Sequence, residues 1–237
     1  MENEIKDFQK WLEEVDHFSL PKFKELPNVD LYMEQVLKYI NDVLRVFSSD
    51  EQKILTSFMV NNYVKARMIE EPKKKKYSKE QIGYLMAITL MKSTISMSDM
   101  SLLLEMDKNV TLDKGRLYAF YCDLESSIVH ESTKKTKSAV DNLVKKYKTE
   151  KEKNNAEADD NLRNSLGFLA LRLAIRAQSN KILSDQIIEQ IRKDLHGAKA
   201  IEIESTPGHN EIRRENKIGK GEAKRLAIAK KAAGKGK

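Results

Sequence analysis

The chain has 237 residues, 43 Lys+Arg against 36 Asp+Glu, four His and a single Cys, a length that suits one large or two small domains. One cysteine excludes an internal disulfide framework and a cysteine-rich zinc site; His17, His130, His196 and His209 lack metal-ligand spacing, and no apolar run approaches the roughly 18 residues of a membrane helix. With 40% hydrophobic and 33% charged residues, the composition reads as a cytoplasmic protein with a real core, a strongly charged surface and no cofactor.

Only four Pro and nine Gly interrupt the chain, and little of it alternates, so an all-α fold is expected. Residues 1–18 form an amphipathic helix with Ile5, Phe8, Trp11, Leu12 and Val15 on one stripe. Pro21 and Pro27 bound a short linker. Residues 29–47 follow as a helix carrying Leu31, Tyr32, Val36, Ile40, Val43 and Leu44, with Asn28 or Asp30 as its cap. Ser48–Lys53 is a loop. Thr56 caps a helix over 57–67, and Pro72 with the lysines ends it. Ser78 caps an apolar helix, KEQIGYLMAITLMKS, and Ser96 or Ser98 starts a short one, SDMSLLLEM. A longer helix runs from Leu112 to about Lys148, with a break expected near Ser132–Thr136. TEKEKNNAEADD is a polar joint. One or two helices then cover 160–196, with Gly197 as the stop. Residues 198–237 lack an apolar stripe beyond LAIA and read as a disordered basic tail.

Charge is unevenly spread. Residues 65–79 carry seven basic and two acidic side chains, and residues 199–237 carry eleven basic and five acidic ones. Of the net +7, these two segments supply +5 and +6, so the rest of the chain is at −4. Two basic segments on an otherwise acidic chain point toward a polyanion.

The stretch 56–105 holds the chemistry. Tyr63, then Met68, Ile69 and Pro72, then Lys75, Tyr77 and Ser78, then Ile95, Ser96, Met97 and Met100–Leu103 follow one another in an order that resembles the winged-helix domain of MerR-type regulators. PNVDLYMEQV, MVNNYVK and KKYSKEQIGYL also resemble, over about 26–130, a bacterial family of unknown-function domains related to MerR-type winged helices. The resemblance implies a winged helix-turn-helix over 27–108, double-stranded DNA as partner, and a homodimer. It departs from the MerR pattern in three respects. Ser48–Leu55 makes a longer turn, Asn62 and lysines stand where arginines are usual, and no cysteine cluster is present for sensing mercury or zinc.

On helix 57–67, Ser57, Asn61 and Lys65 lie at i, i+4 and i+8 and share one stripe, flanked by Phe58 and Asn62. Asn can pair bidentately with adenine in the major groove, and Lys can reach guanine or phosphate. Lys73, Lys74, Lys75 and Lys76 would form a wing on backbone phosphates, supplying affinity rather than sequence choice. Residues 1–26 are then an N-terminal helix and linker, 109–197 a helical dimerisation or partner-binding region, and 198–237 the tail.

No catalytic or metal constellation assembles. His130 beside Glu131 reads as a surface histidine, Asp159 and Asp160 point apart on a helix, and the Gly- and Lys-containing C-terminus lacks a phosphate-loop motif. Leu226 and Ile228 offer too little apolar area for a membrane surface. The rival function is a non-enzymatic interaction adaptor that keeps the winged-helix fold. It predicts an exposed apolar patch around Met97–Met106 or on 182–195.

Overall fold

The computed structural model describes residues 2–48, 53–110 and 114–205. They form α1 (Glu2–Asp16), β1 (Leu31–Tyr32), α2 (Met33–Val43), α3 (Ser57–Lys65), β2 (Lys76–Tyr77), α4 (Lys79–Met91), α5 (Met97–Val110), α6 (Lys114–Glu152) and α7 (Ala158–Ser205). The chain is therefore mostly helical. The chain divides into two compact units, the first ending at Ser179 and the second starting at Asn180.

In the first unit, one core gathers Leu26, Val36, Ile40, Leu44, Leu55, Val60, Ile82, Leu85, Met86, Ile88 and Met100, all nearly or fully buried. The start of α6 closes it with Tyr118 and Cys122. The Tyr118 hydroxyl donates to the Pro21 carbonyl at 3.0 Å, and the Cys122 thiol shares that acceptor at 3.9 Å. A Cβ on Gly83 would lie 3.1 Å from the Tyr118 ring, so α4 approaches α6 here because position 83 has no side chain.

A second core joins Ile5 and Leu12 of α1 to Val140, Val144 and Tyr147 of α6 and Ala158 and Leu162 of α7. Long-range polar contacts pin α1 along α6: Gln9 to Asp141 at 2.9 Å, Lys137 to Glu13 at 3.1 Å, and His130 Nδ1 to Asp16 at 2.9 Å. Trp11 departs from its expected place on the apolar stripe. It is 42% exposed, and its indole N–H donates to the Val46 carbonyl at 2.9 Å.

Several sequence expectations need correction. Leu31 and Tyr32 are not helical: they pair antiparallel with Tyr77 and Lys76. The helix expected over 29–47 is α2 followed by a 3-10 turn at Arg45–Phe47. Neither Asn28 nor Asp30 caps it. The Tyr32 amide instead donates to the Gln35 side chain at 2.9 Å. The short helix expected after Ser96 or Ser98 is the fourteen-residue α5, and Ser96 caps it by accepting the Asp99 amide at 3.1 Å. The expected break at 132–136 does not occur. There Thr136 and Ser138 donate to the carbonyls of Ser132 and Lys134, four residues back, and Lys135 pairs with Glu131. The one or two helices expected over 160–196 are one, α7. Gly197 does not stop it, since α7 continues to Ser205 and takes in the first residues of the expected tail. The rest of that tail, 206–237, lies outside the described residues. Among the described residues, no helix is long and apolar enough to cross a membrane.

Candidate nucleic-acid interface

Three local devices set α3. Thr56 accepts the Met59 amide on its side chain at 3.4 Å, which is the N-cap expected from the sequence. Before it, the Asn41 side chain of α2 grips the Leu55 backbone in both directions, Nδ2 to the carbonyl at 2.9 Å and the amide to Oδ1 at 3.0 Å. This brace fixes where the helix starts despite the long connection from α2. At the other end the helix stops at Lys65, short of the expected residue 67. Met68 N–H donates to Tyr63 O at 3.0 Å and Arg67 N–H to Val64 O at 2.9 Å, with Arg67 at φ 57. These are the paired bonds of a Schellman ending, with arginine in the left-handed position usually given to glycine.

Val60 and Tyr63 of α3 are buried. Ser57, Asn61 and Lys65 are exposed along the other side, Asn62 is half-buried, and Phe58 is 73% exposed. The expected stripe therefore faces outward as a polar surface with one aromatic ring on it.

After α3, Met68 and Ile69 are buried, and the Gln81 side chain donates to Glu70 O at 2.7 Å, so the link to the lysines is anchored at both ends. Lys73–Lys76 then form a tight turn. Lys76 N–H donates to Lys73 O at 2.9 Å, and the two central residues sit at φ 50 (Lys74) and φ 65 (Lys75). Positive φ at both central positions is the hairpin turn that normally selects Asn-Gly. Lys73, Lys74 and Lys75 are exposed. Lys76 is half-buried, with its ammonium 4.9 Å from the centre of the Tyr32 ring. Among the described residues, Lys65, Lys73, Lys74 and Lys75 form no ion pair.

The nine sequence-derived site residues thus fall into two groups, one on the outer side of α3 and one in the turn. The elements carrying them, α3 and β2, both pack on α2. Arg67 and Tyr32 belong beside them and were not anticipated. The sequence pattern puts Arg67 at the end of the helix over 57–67 and Tyr32 on a helical stripe. Neither the left-handed cap nor the β1–β2 pairing has a local signal. Lys79 and Lys92 are basic neighbours already engaged. Lys79 bonds Asn28 Oδ1 at 2.6 Å and lies over the Phe23 ring, and Lys92 bonds Ile54 O at 2.5 Å, where burial lowers its pKa.

The other polar candidates are taken up in structural contacts. Asp159 accepts from Tyr147 and Lys151, both at 2.8 Å, while Asp160 accepts from Arg163, so the two carboxylates do point apart. His130 faces Asp16. Burial raises the pKa of the Cys122 thiol and of the Tyr118 and Tyr121 hydroxyls. Among the described residues, no group of three or more His, Cys, Asp or Glu converges.

Comparison with curated proteins and with solved structures yields no match. No comparison links the chain to MerR-type regulators. Residues 21–124, which span the linker, β1, α2–α5 and the start of α6, match the family described as a domain of unknown function (DUF1836).

Proposed function

We propose that the chain is a DNA-binding transcriptional regulator in which residues 27–108, from β1 through α2, α3, the lysine turn, β2 and α4 into α5, act as a MerR-like winged helix. α3 is about 13 Å long at 1.5 Å per residue and of a width that the major groove admits. Asn61, Asn62 and Lys65 would read base edges, while Lys73–Lys76 and Arg67 lie on phosphates.

The observation that carries this reading is the turn itself. Two lysines at an exposed tip are held in left-handed backbone geometry, which costs an L-residue about 1–2 kcal/mol each. A turn selected for stability alone would place Asn-Gly there. A tip that keeps two unpaired cations at that cost is suited to an anionic surface.

The second reading, an interaction adaptor, also has an observation in its favour. Ile182, Leu183 and Ile187 are each more than half exposed. The Met97–Met106 patch is weaker support, because Met100 is buried and Met97 is only 38% exposed.

A salt titration of binding to random and genomic DNA separates the two. It compares the full chain with one ending at Ser205, which leaves α7 whole. Retained binding, a steep salt slope and selection among fragments support the regulator. N61A should then weaken the preferred fragments by about 1–3 kcal/mol, flattening the selection, while leaving affinity for random DNA nearly unchanged. Loss of all binding with the tail would overturn the reading and favour the adaptor.

A further inference from the structure

Near their connecting turn, α6 and α7 pack closely, antiparallel, through Val144, Tyr147, Ala158 and Leu162. Further along, residues 131–139 of α6 and 169–176 of α7 line a groove of about 580 Å³ within the first unit. That is the size of a small-molecule site and far too narrow for a duplex. Lys134 and Lys135 stand on its α6 wall, and Arg172 and Arg176 face them from α7. The arginines are four residues apart, so they share one side of the helix. A single carboxylate, Glu131, opposes these four cations, and it is already paired with Lys135. Arg172 and Lys134 form no ion pair among the described residues.

The floor is aliphatic: Leu169, Leu173 and Ala139. None of the lining residues is aromatic, so nothing there would stack a nucleobase. The hydroxyls of Thr136 and Ser138 donate to their own helix backbone. Recognition therefore falls to the guanidinium and ammonium groups at the rim and the aliphatic surface below. Two neighbouring guanidiniums suit the paired oxygens of a phosphate or carboxylate.

We infer that this groove binds an organic anion consisting of a phosphate or carboxylate head on an aliphatic body. The head would lie between Arg172 and Arg176, and the body along Leu169 and Leu173. The inference does not depend on DNA binding, since the groove lies on other elements and its test uses no nucleic acid.

Isothermal titration of the full chain, with ligands kept below micelle concentrations, tests it. Decyl phosphate and decanoate are the probes; inorganic phosphate and decanol are the controls. One or both probes should saturate a single site at least tenfold more tightly than either control, and the tighter probe identifies the head group. R172Q/R176Q should weaken that probe by about tenfold or more, as the loss of charge-assisted bonds predicts. Both arginines are exposed, so the circular dichroism spectrum should not change. The charge-matched variant K10Q/K38Q, altered elsewhere on the surface, should bind like the parent. Any of four results would overturn the inference: no saturable binding by either probe, inorganic phosphate binding as tightly as decyl phosphate, R172Q/R176Q having no effect, or K10Q/K38Q causing an equal loss.

Discussion

Replacing Lys74 and Lys75 together by Asn and Gly separates the stability of the turn from its charge. Both lysines have positive φ. Glycine at 75 relieves about 1–2 kcal/mol of left-handed cost and gives back about 0.5–1 kcal/mol through its freer unfolded state. Asn at 74 tolerates the geometry better than Lys by a few tenths. K74N/K75G should therefore be about 1 kcal/mol more stable, a rise of roughly 2–4 °C in Tm for a chain of this size. The same change removes two exposed cations. If both lie on phosphates at about 0.5–1 kcal/mol each, duplex affinity falls about 5- to 30-fold. The slope of log K against log salt becomes shallower by about 1.8. Thermal melts by circular dichroism and fluorescence anisotropy over a salt series measure the two effects on one variant. A lower Tm would refute the strain argument. An unchanged affinity and slope would refute the interface.

Other variants probe the remaining parts. N41A removes both bonds to the Leu55 backbone and should cost about 2 kcal/mol in denaturant unfolding, with faster exchange of the Leu55 amide in particular. Glu125 has one carboxylate oxygen buried without a hydrogen-bond partner among the described residues, and burial raises its pKa to about 7. Its neutral form is favoured in the folded state, so its contribution is intact below its ordinary pKa near 4.5 and is lost as pH rises through 7. E125Q should remove about 1 kcal/mol of pH dependence across that window, a figure discounted for partial solvation. Melts at pH 5 and pH 8 test this, and an unchanged difference between them would contradict it. Phe120, Leu124 and Ile128 form an exposed i, i+4, i+8 stripe on α6, a surface suited to the homodimer that the family resemblance implies. L124E should shift sedimentation toward the monomer at least tenfold in concentration. A monomeric parent chain would dispose of the dimer.

What was legible in the sequence was local. Thr56, Ser78 and Ser96 are caps because a hydroxyl three residues before a free amide is enough to stop a helix from fraying. The buried and exposed sides of α3 followed from spacing alone. Pairings across the chain were not legible. Leu31 and Tyr32 have a helical pattern around them, and only Tyr77 and Lys76, more than forty residues away, make them a strand. Lysine has no preference for positive φ, so nothing in KKKK announced a hairpin turn. Gly197 misled because glycine marks a helix end only when the chain turns there, and α7 does not.

The only tryptophan of the chain stands at a junction. Trp11 stacks with Phe8, with ring centres 5.9 Å apart, and its indole N–H holds Val46, which leads toward α3. The helix that carries it is tied along α6, one wall of the groove. Excited beyond the absorption of the eight tyrosines, emission therefore comes from one ring, held by α1 and by the backbone at Val46. The unlabelled protein thus carries one optical reporter, and its emission can be recorded while the proposed ligands, a duplex for α3 and an anion for the α6–α7 groove, are added singly and then together.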